Sequence, residues 1–233
     1  MADVKTALSG IPVAPDRIEA LSVYHDLLLS WNKKMDLTSV PDDEAARRHF
    51  RDSLLPLTLP ELFPEGLKLI DVGTGAGFPG LALAIARPDF QVTLLEAQGK
   101  RCRFLRAVCD ELELKNVTVA QERAEVLGQN SSHREAYDRA VARAVAPLNV
   151  LCEYLLPFVK AGGYALCWKG PAVLDEMTDG EAAAKKLGGQ AEAPVSLGEE
   201  GHVLVPIRKI ETTLPQYPRK NGIPAKRPLK KDK

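Results

Sequence analysis

Several things are missing from this sequence, and each absence closes off a class of protein. No apolar run in its 233 residues approaches the roughly 20 needed to cross a bilayer as a helix. The opening stretch MADVKTALSG has no basic segment followed by an apolar core, so no secretion leader is expected. Cysteine is scarce: Cys102, Cys109, Cys152 and Cys167, none of them in a C-x-x-C pair. Cys102 and Cys109 are spaced to share one helical face, as small core residues in a reduced, cytoplasmic compartment. There is no histidine and cysteine cluster with metal-ligand spacing, no G-x-S-x-G elbow and no internal repeat. A metal centre, a serine hydrolase of that type and a solenoid are therefore not expected.

What is present is ordinary in amount and uneven in placement. Hydrophobic residues make up 45% and charged residues 27%, the balance of an ordinary soluble globular protein, and 233 residues are enough for one α/β domain with an added element. Net charge is zero, yet from Arg208 to Lys233 there are nine basic residues and two acidic ones, a net of +7. The preceding 207 residues then carry −7. A cationic tail on an acidic body is the footprint of a polyanion partner.

The chain is organised around Asp71-Val72-Gly73-Thr74-Gly75-Ala76-Gly77-Phe78-Pro79-Gly80. The apolar run Leu67 to Ile70 enters it as a buried strand, and Leu81 to Ala86 leaves it as a helix. Strand, glycine turn and helix start together make a nucleotide site, since glycine lets a ligand approach the backbone without meeting a Cβ. Two frames fit. Gly75-x-Gly77-x-x-Gly80 satisfies the dinucleotide pattern G-x-G-x-x-G. Asp71-x-Gly73-x-Gly75-x-Gly77, an acid followed by alternating glycines, resembles the first motif of S-adenosylmethionine-dependent methyltransferases. That resemblance puts the acid near the cationic amino end of the ligand and the glycines under its ribose, and the second frame is preferred.

Residues 1–64 read as an N-terminal helical cap. Asp16 is expected to cap a helix to about Lys34, with Ile18, Leu21, Tyr24, Leu27, Leu28 and Trp31 on one apolar face. Asp42 or Asp43 is expected to cap a second helix carrying Ala46, Phe50, Leu54 and Leu57. Arg47, Arg48 and His49 form its basic side. Residues 65–211 read as strands and helices in alternation. Gln91–Leu95 is a strand ending in Glu96, an acid placed for the two hydroxyls of a ribose. An amphipathic helix spans Lys100 to Leu114, and Val117–Ala120 is a third strand. It delivers Ala124 and Glu125 to the carboxyl edge of the sheet, where an adenine pocket is expected. A fourth strand runs from Tyr137 to Ala144, then a helix from Pro147 to Val159 and a turn at Gly162-Gly163. A fifth strand spans Tyr164–Trp168 and delivers Lys169 to the same edge, a helix spans Ala172 to Leu187, and a final hairpin joins His202–Ile207 with a weaker run near Ala193 to Leu197. The pattern predicts a mainly parallel twisted sheet with helices on both faces. Residues 212–233, where Pro215, Pro218, Pro224 and Pro228 alternate with basic residues, are expected to be extended or ordered only on binding.

Taken in order, WNKKMDLTSV, RHFRDSL, DVGTGAGFPGLALAIARP, LLEAQGKRCRFLR, YDRAVARAVAPL and CWKGP carry a specific likeness. From about Tyr24 to Leu229 the chain resembles the bacterial small-subunit ribosomal RNA guanine-N7 methyltransferases, the RsmG or GidB family. The tail stretch PQYPRKNGIPAKRPL resembles the longer members. The resemblance implies a Rossmann-like class I methyltransferase fold and S-adenosylmethionine as cofactor. Its partner would be 16S ribosomal RNA or the small subunit, at a decoding-region hairpin loop. The cofactor contacts it implies are Asp71, Gly73, Gly75, Gly77, Phe78, Glu96, Ala97, Gln98, Ala124, Glu125 and Arg143; Arg139 does not match the family arginine. Thr38, Arg47, Arg48, His49, Lys169, Arg219 and Lys220 are the candidate RNA contacts. One departure stands out: family members carry Asn before Leu-Thr where this chain has Asp36.

The chemistry implied needs no general base, because guanine N7 has an in-plane lone pair and no proton at neutral pH. No catalytic residue is assigned on that ground, and a cytoplasmic monomer without metal or membrane partner is expected. The alternatives are an NAD(P)-dependent oxidoreductase, which reads the glycines in the other frame, and a non-catalytic RNA-binding protein. The intact Asp71, glycine loop and Glu96 argue against the latter.

Overall fold

The computed structural model describes residues 3–143, 146–198 and 201–231. In chain order its first elements are α1 (Val4–Ala7), α2 (Pro15–Met35), α3 (Asp52–Leu54), β1 (Lys68–Val72), α4 (Gly80–Ala86), β2 (Gln91–Leu95), α5 (Gly99–Glu111) and β3 (Val117–Ala120). Then come α6 (Ala124–Leu127), β4 (Tyr137–Arg143), α7 (Leu148–Leu155), β5 (Val159–Lys169), α8 (Met177–Lys186), β6 (Gly189–Ala191), β7 (Val195–Ser196), β8 (Val203–Lys209) and α9 (Ile223–Lys226). They group into two compact units, Met1–Leu67 with Thr74–Gln121, and Lys68–Gly73 with Glu122–Lys233.

In the first unit, the helical face expected of α2 is there. Leu21, Tyr24 and Leu28 are buried in a core with Phe50, Leu54, Leu81, Ile85, Phe90, Phe104 and Val108. Burying each such side chain is worth about 1.5–3 kcal/mol. The helix starts differently from expectation. Ala14 is its N-cap, with Pro15 at the first position, where a missing N–H costs nothing. Asp16 pairs instead with Arg17 at 3.0 Å. At its far end Asp36 adopts a left-handed conformation, φ 49° and ψ 55°. Asn and Asp are the non-glycine residues that enter this region most readily, so the exchange of one for the other keeps the helix stop.

The second expected helix is broken into three pieces. Residues Ala46–Arg51 wind as a π-helix, followed by α3 and a 3₁₀ turn over Leu55–Thr58. The wider π turn allows the neighbours His49 and Phe50 both to point inward, at 8% and 0% exposure. In the same unit β2 and β3 pair in parallel, Leu95 opposite Ala120.

In the second unit β1, β4 and β5 run parallel in that order, with Asp71 opposite Val141 and Arg143 opposite Trp168. Strand β8 pairs antiparallel with β5, and β6 and β7 pair antiparallel with β8; β7 with β8 is the closing hairpin expected, whereas β6 falls where only a glycine break is expected. The strands are apolar on both faces, as parallel strands under helices are: Ile70, Ala140, Val141, Leu166, Cys167 and Val205 are all fully buried. The architecture is mixed α/β with a mostly parallel sheet.

Three expectations in this unit change. The helix after Pro147 stops at Leu155 and becomes a 3₁₀ turn at Leu156–Phe158, because Pro157 cannot donate a helical hydrogen bond. Gly162 and Gly163 lie inside β5, not between elements. The β4–β5 register shifts between Tyr137 and Arg139, and a Cβ on Gly163 would sit 2.6 Å from the Asp138 carbonyl oxygen. The helix expected from Ala172 is a 3₁₀ stretch at Pro171–Glu176 before α8 begins. Ala144, the expected end of the fourth strand, lies outside the described residues.

The proline-rich tail is the largest correction: it is ordered within the chain. Prolines remove N–H donors and leave a run of acceptor carbonyls, and side chains of the second unit supply the donors. The Arg134 guanidinium donates to the carbonyls of Thr213, Leu214 and Tyr217, at 2.6–3.1 Å. Gln129 donates to those of Pro215 and Pro218, and Asn149 to that of Leu229. Residues Ile223–Lys226 even form a short helix.

Candidate functional site

Within the first unit, the glycine turn from Thr74 to Gly80 is fixed from several sides. The Gly75 N–H donates to Glu96 Oε2 at 3.1 Å, and Gln98 N–H donates to Glu96 Oε1 at 2.8 Å. Arg101 lies 3.7 Å from the same carboxylate. Glu96 is 5% exposed, and Ala97 and Gln98 follow it at the surface. Gly77 and Phe78 N–H groups both donate to the Thr74 carbonyl. Gly75 and Gly77 hold φ of 62° and 103°, conformations that glycine adopts without strain.

The ring of Phe78 is held on two sides. Tyr24 stacks on it with centroids 5.2 Å apart, and His49 stacks on it at 4.6 Å with planes only 10° apart. His49 Nε2 in turn hydrogen-bonds Thr38 Oγ1 at 2.7 Å. The Thr38 backbone is clasped by Asn32, whose amide accepts from Thr38 N–H and donates to Thr38 carbonyl. Three candidates of two kinds, Phe78 from the expected cofactor contacts and Thr38 and His49 from the expected RNA contacts, are thus joined in one cluster. Arg47 and Arg48 stand beside it in sequence, Arg48 paired with Glu44 at 3.0 Å.

The remaining candidates belong to the second unit. Asp71 is fully buried near the end of β1, and Gly73 is exposed with φ 73°. Arg143 is half-buried at the end of β4. Ala124 opens α6, and Glu125 beside it is 7% exposed and accepts from Gly222 N–H at 2.9 Å. Lys169 sits 2.7 Å from Glu176 and donates to the Ala146 carbonyl. Arg219 forms a forked pair with the buried Glu153: its Nε and Nη2 contact both carboxylate oxygens at 2.6–3.1 Å, and its own N–H bonds Oε1. These bonds raise the guanidinium pKa above its ordinary value. Arg219 is therefore occupied inside the fold, whereas Lys220, Lys226 and Arg227 remain exposed.

Sequence reasoning missed Tyr24, Asn32, Arg134 and Glu153 as site-shaping residues. Tyr24 read only as one apolar position of a helix; a polar-tipped ring at a core position was the available signal. Nothing local marks Glu153, whose partner is 66 residues away.

Residues 17–205 match the model of GidB, rRNA small subunit methyltransferase G. The chain belongs to that family. It is 47% identical to Ribosomal RNA small subunit methyltransferase G of Alkaliphilus oremlandii and 46% identical to that of Alkaliphilus metalliredigens; each match covers 95% of this chain and 94% of the relative. Among solved structures, a mutant of MtNAS in complex with S-adenosylmethionine shares the fold at a TM-score of 0.57. It is 15% identical, over 90% of this chain and 85% of that one. Among the described residues no helix is long and apolar enough to cross a membrane, and none group as a three-ligand metal site of His, Cys, Asp or Glu.

Proposed function

We propose that this protein methylates guanine N7 in 16S ribosomal RNA, with S-adenosylmethionine as methyl donor, as a cytoplasmic monomer. The observation that carries the reading is the glycine turn itself. Glu96 is held by the Gly75 and Gln98 N–H groups, and the chain just before the turn passes from the buried Asp71 to an exposed, left-handed Gly73. An acid, a run of alternating glycines and a second acid suit a cationic ligand with a ribose. Gly73, Gly75, Glu96, Ala97 and Gln98 would hold the ribose side, Asp71 the amino end, and Ala124 and Glu125 the adenine. Gly77, Phe78 and Arg143 complete the set implied by the family pattern.

S-adenosylmethionine supplies an electrophilic methyl group. The chain's own residues need remove no proton from N7, so their work is to hold the base and exclude misaligned approaches. Thr38, Arg47, Arg48, His49, Lys169 and Lys220 are the proposed RNA contacts. Arg219 acts through the fold, by keeping Lys220 on an anchored segment. The domain limits 1–64, 65–211 and 212–233 remain our reading of cap, methyltransferase body and tail.

The test is mass mapping of modified nucleotides in 16S ribosomal RNA treated with the protein and S-adenosylmethionine. A gain of one methyl on a single guanine, at N7, is expected. No gain on free RNA or on small subunits, or a preference for NADH over S-adenosylmethionine in a binding titration, sinks the reading.

A further inference from the structure

Tyr24 has no part in the chemistry above, yet it is fully buried and reaches the glycine turn from 52 residues away. Its hydroxyl donates to the Ala76 carbonyl at 2.5 Å. The peptide unit that begins with that carbonyl ends in the Gly77 N–H, which donates to the Thr74 carbonyl at 2.9 Å. The carbonyl and N–H of one peptide lie in a single plane and point in opposite directions. A partner at each end therefore fixes the rotation of the plane. The neighbouring N–H groups of Gly75 and Phe78 are bonded to Glu96 and Thr74.

The space for the hydroxyl is made by Gly77. A Cβ there would lie 2.5 Å from Tyr24 Oη and 2.9 Å from Leu81 Cβ. The glycine that the family pattern places under a ribose is thus also required by the tyrosine. The ring is seated against Phe78 at 5.2 Å and edge-on to Phe50 at 5.1 Å, which leaves the hydroxyl one direction to point.

We infer that Tyr24 is a positioning residue for the methyl-donor loop: its hydroxyl sets the orientation of the Ala76–Gly77 peptide, and with it the loop surface that faces the ligand. The inference rests on the reading of residues 73–78 as that loop. It assigns α2 a part in cofactor binding that no residue of α2 would have by direct contact.

The experiment uses Tyr24→Phe, which keeps the ring packing and removes only the hydroxyl, with Phe50→Leu as a control that loosens the ring's packing and keeps the hydroxyl. Amide hydrogen exchange in the ligand-free protein is the first readout. Gly77 N–H should exchange about tenfold faster in Tyr24→Phe and little faster in Phe50→Leu. The second readout is the Kd for S-adenosylhomocysteine well below the melting temperature. It should rise about tenfold in Tyr24→Phe alone, even if Phe50→Leu melts lower. Unchanged exchange and unchanged Kd in Tyr24→Phe overturn the inference, as does an equal loss in both variants, which would mean general packing. If the unmodified protein does not bind S-adenosylhomocysteine, the cofactor reading falls, while the exchange of Gly77 still decides whether the tyrosine orients the loop.

Discussion

The glycine turn at 73–80 and the tail at 213–231 are both poor in regular structure, and both are fixed, by opposite means. Beyond its hydrogen bonds to Glu96 and Tyr24, the turn is held by close packing: Tyr24 and Leu81 fill the space a side chain on Gly77 would take, and aromatic rings flank Phe78. The tail is held by charge and amide groups reaching out to its backbone, Arg134, Gln129 and Asn149 to carbonyls and Glu153 to Arg219. A turn made of missing side chains is specified by what its neighbours push into the gap. A segment made of prolines is specified by donors that it lacks itself. The first should tolerate salt and resist any added atom; the second should tolerate added atoms and fail when one charge is removed.

The two regions differ most at two glycines. Gly77→Ala combines a left-handed backbone with contacts under 3 Å and should cost on the order of 3–4 kcal/mol and abolish donor binding. Gly222, in the tail, has φ of 76°, and a Cβ added to it would meet nothing within 4 Å. Gly222→Ala should then cost only about 1 kcal/mol of backbone strain. Urea unfolding of both variants gives the two values, and equal losses would erase the distinction.

The next largest effect belongs to the tail. Glu153 is completely buried, so Arg219→Ala leaves a carboxylate in the core without its guanidinium and should cost about 3 kcal/mol. Trypsin should then cut rapidly at Lys220 and Lys226, while the Arg227–Pro228 bond stays resistant. Replacing both partners, Glu153→Leu with Arg219→Met, should recover most of the stability, since the cost lies in the orphaned charge. A single variant as stable and as protease-resistant as the parent would make the pair incidental.

The same contrast explains what could be read from the sequence. The loop was legible because its chemistry is local: glycines, a preceding strand and a following helix are contiguous, and Glu96 ends the next strand. The fold class followed from the alternation of apolar runs with amphipathic ones. The π turn at Ala46–Arg51 was not legible, because it depends on where His49 and Phe50 pack. The order of the tail is not legible, and its composition reads as extended or ordered only on binding, because composition shows that a segment has no core of its own and not that Arg134 and Glu153 stand elsewhere in the chain. The pairing of Arg219 with Glu153 is invisible in the sequence for the same reason: the two lie 66 residues apart.

A third prediction concerns pH at the root of the tail. Lys209 is 1% exposed, donates to the Leu156 carbonyl and Thr213 Oγ1, and pairs with Glu135 at 3.1 Å. Burial is the leading cause that lowers its pKa to about 8; Arg134 adds to this and Glu135 opposes it. The folded state therefore releases a proton more readily than the unfolded chain, whose lysine titrates near ~10.4. Between those values the unfolded state binds more protons, so this group's contribution to stability rises with pH. From about pH 7 to 9 the gain should be roughly 1.4 kcal/mol. The half-buried Cys109 thiol, pushed up to about 11 by burial, acts in the opposite direction only above its ordinary range. The difference in unfolding free energy between the parent and Lys209→Met isolates the lysine, and a difference that is flat over this range contradicts its depressed pKa.

The smallest effect on stability should come with a plain effect on RNA. Lys220, Lys226 and Arg227 are exposed on a segment that the Arg134 and Arg219 contacts hold in place. Surface charges of this kind contribute little to folding, within about 0.5 kcal/mol. Their use as phosphate partners would show in the salt dependence, because each neutralised phosphate releases condensed counterions. With single-stranded loops the slope of log affinity against log salt falls by about 0.7 for each phosphate left without its cation. The triple variant Lys220→Ala, Lys226→Ala, Arg227→Ala should therefore flatten the slope by about 2. It should melt with the parent and bind S-adenosylhomocysteine equally well. Arg219→Ala, by contrast, should weaken RNA binding only to the extent that it frees the segment carrying these side chains. If the triple variant keeps the parent's slope, the exposed cations are solvated surface and the tail serves the fold alone. If Arg219→Ala flattens the slope as much as the triple variant while the tail stays protease-resistant, Arg219 itself meets the phosphates and its pairing with Glu153 opens on RNA binding.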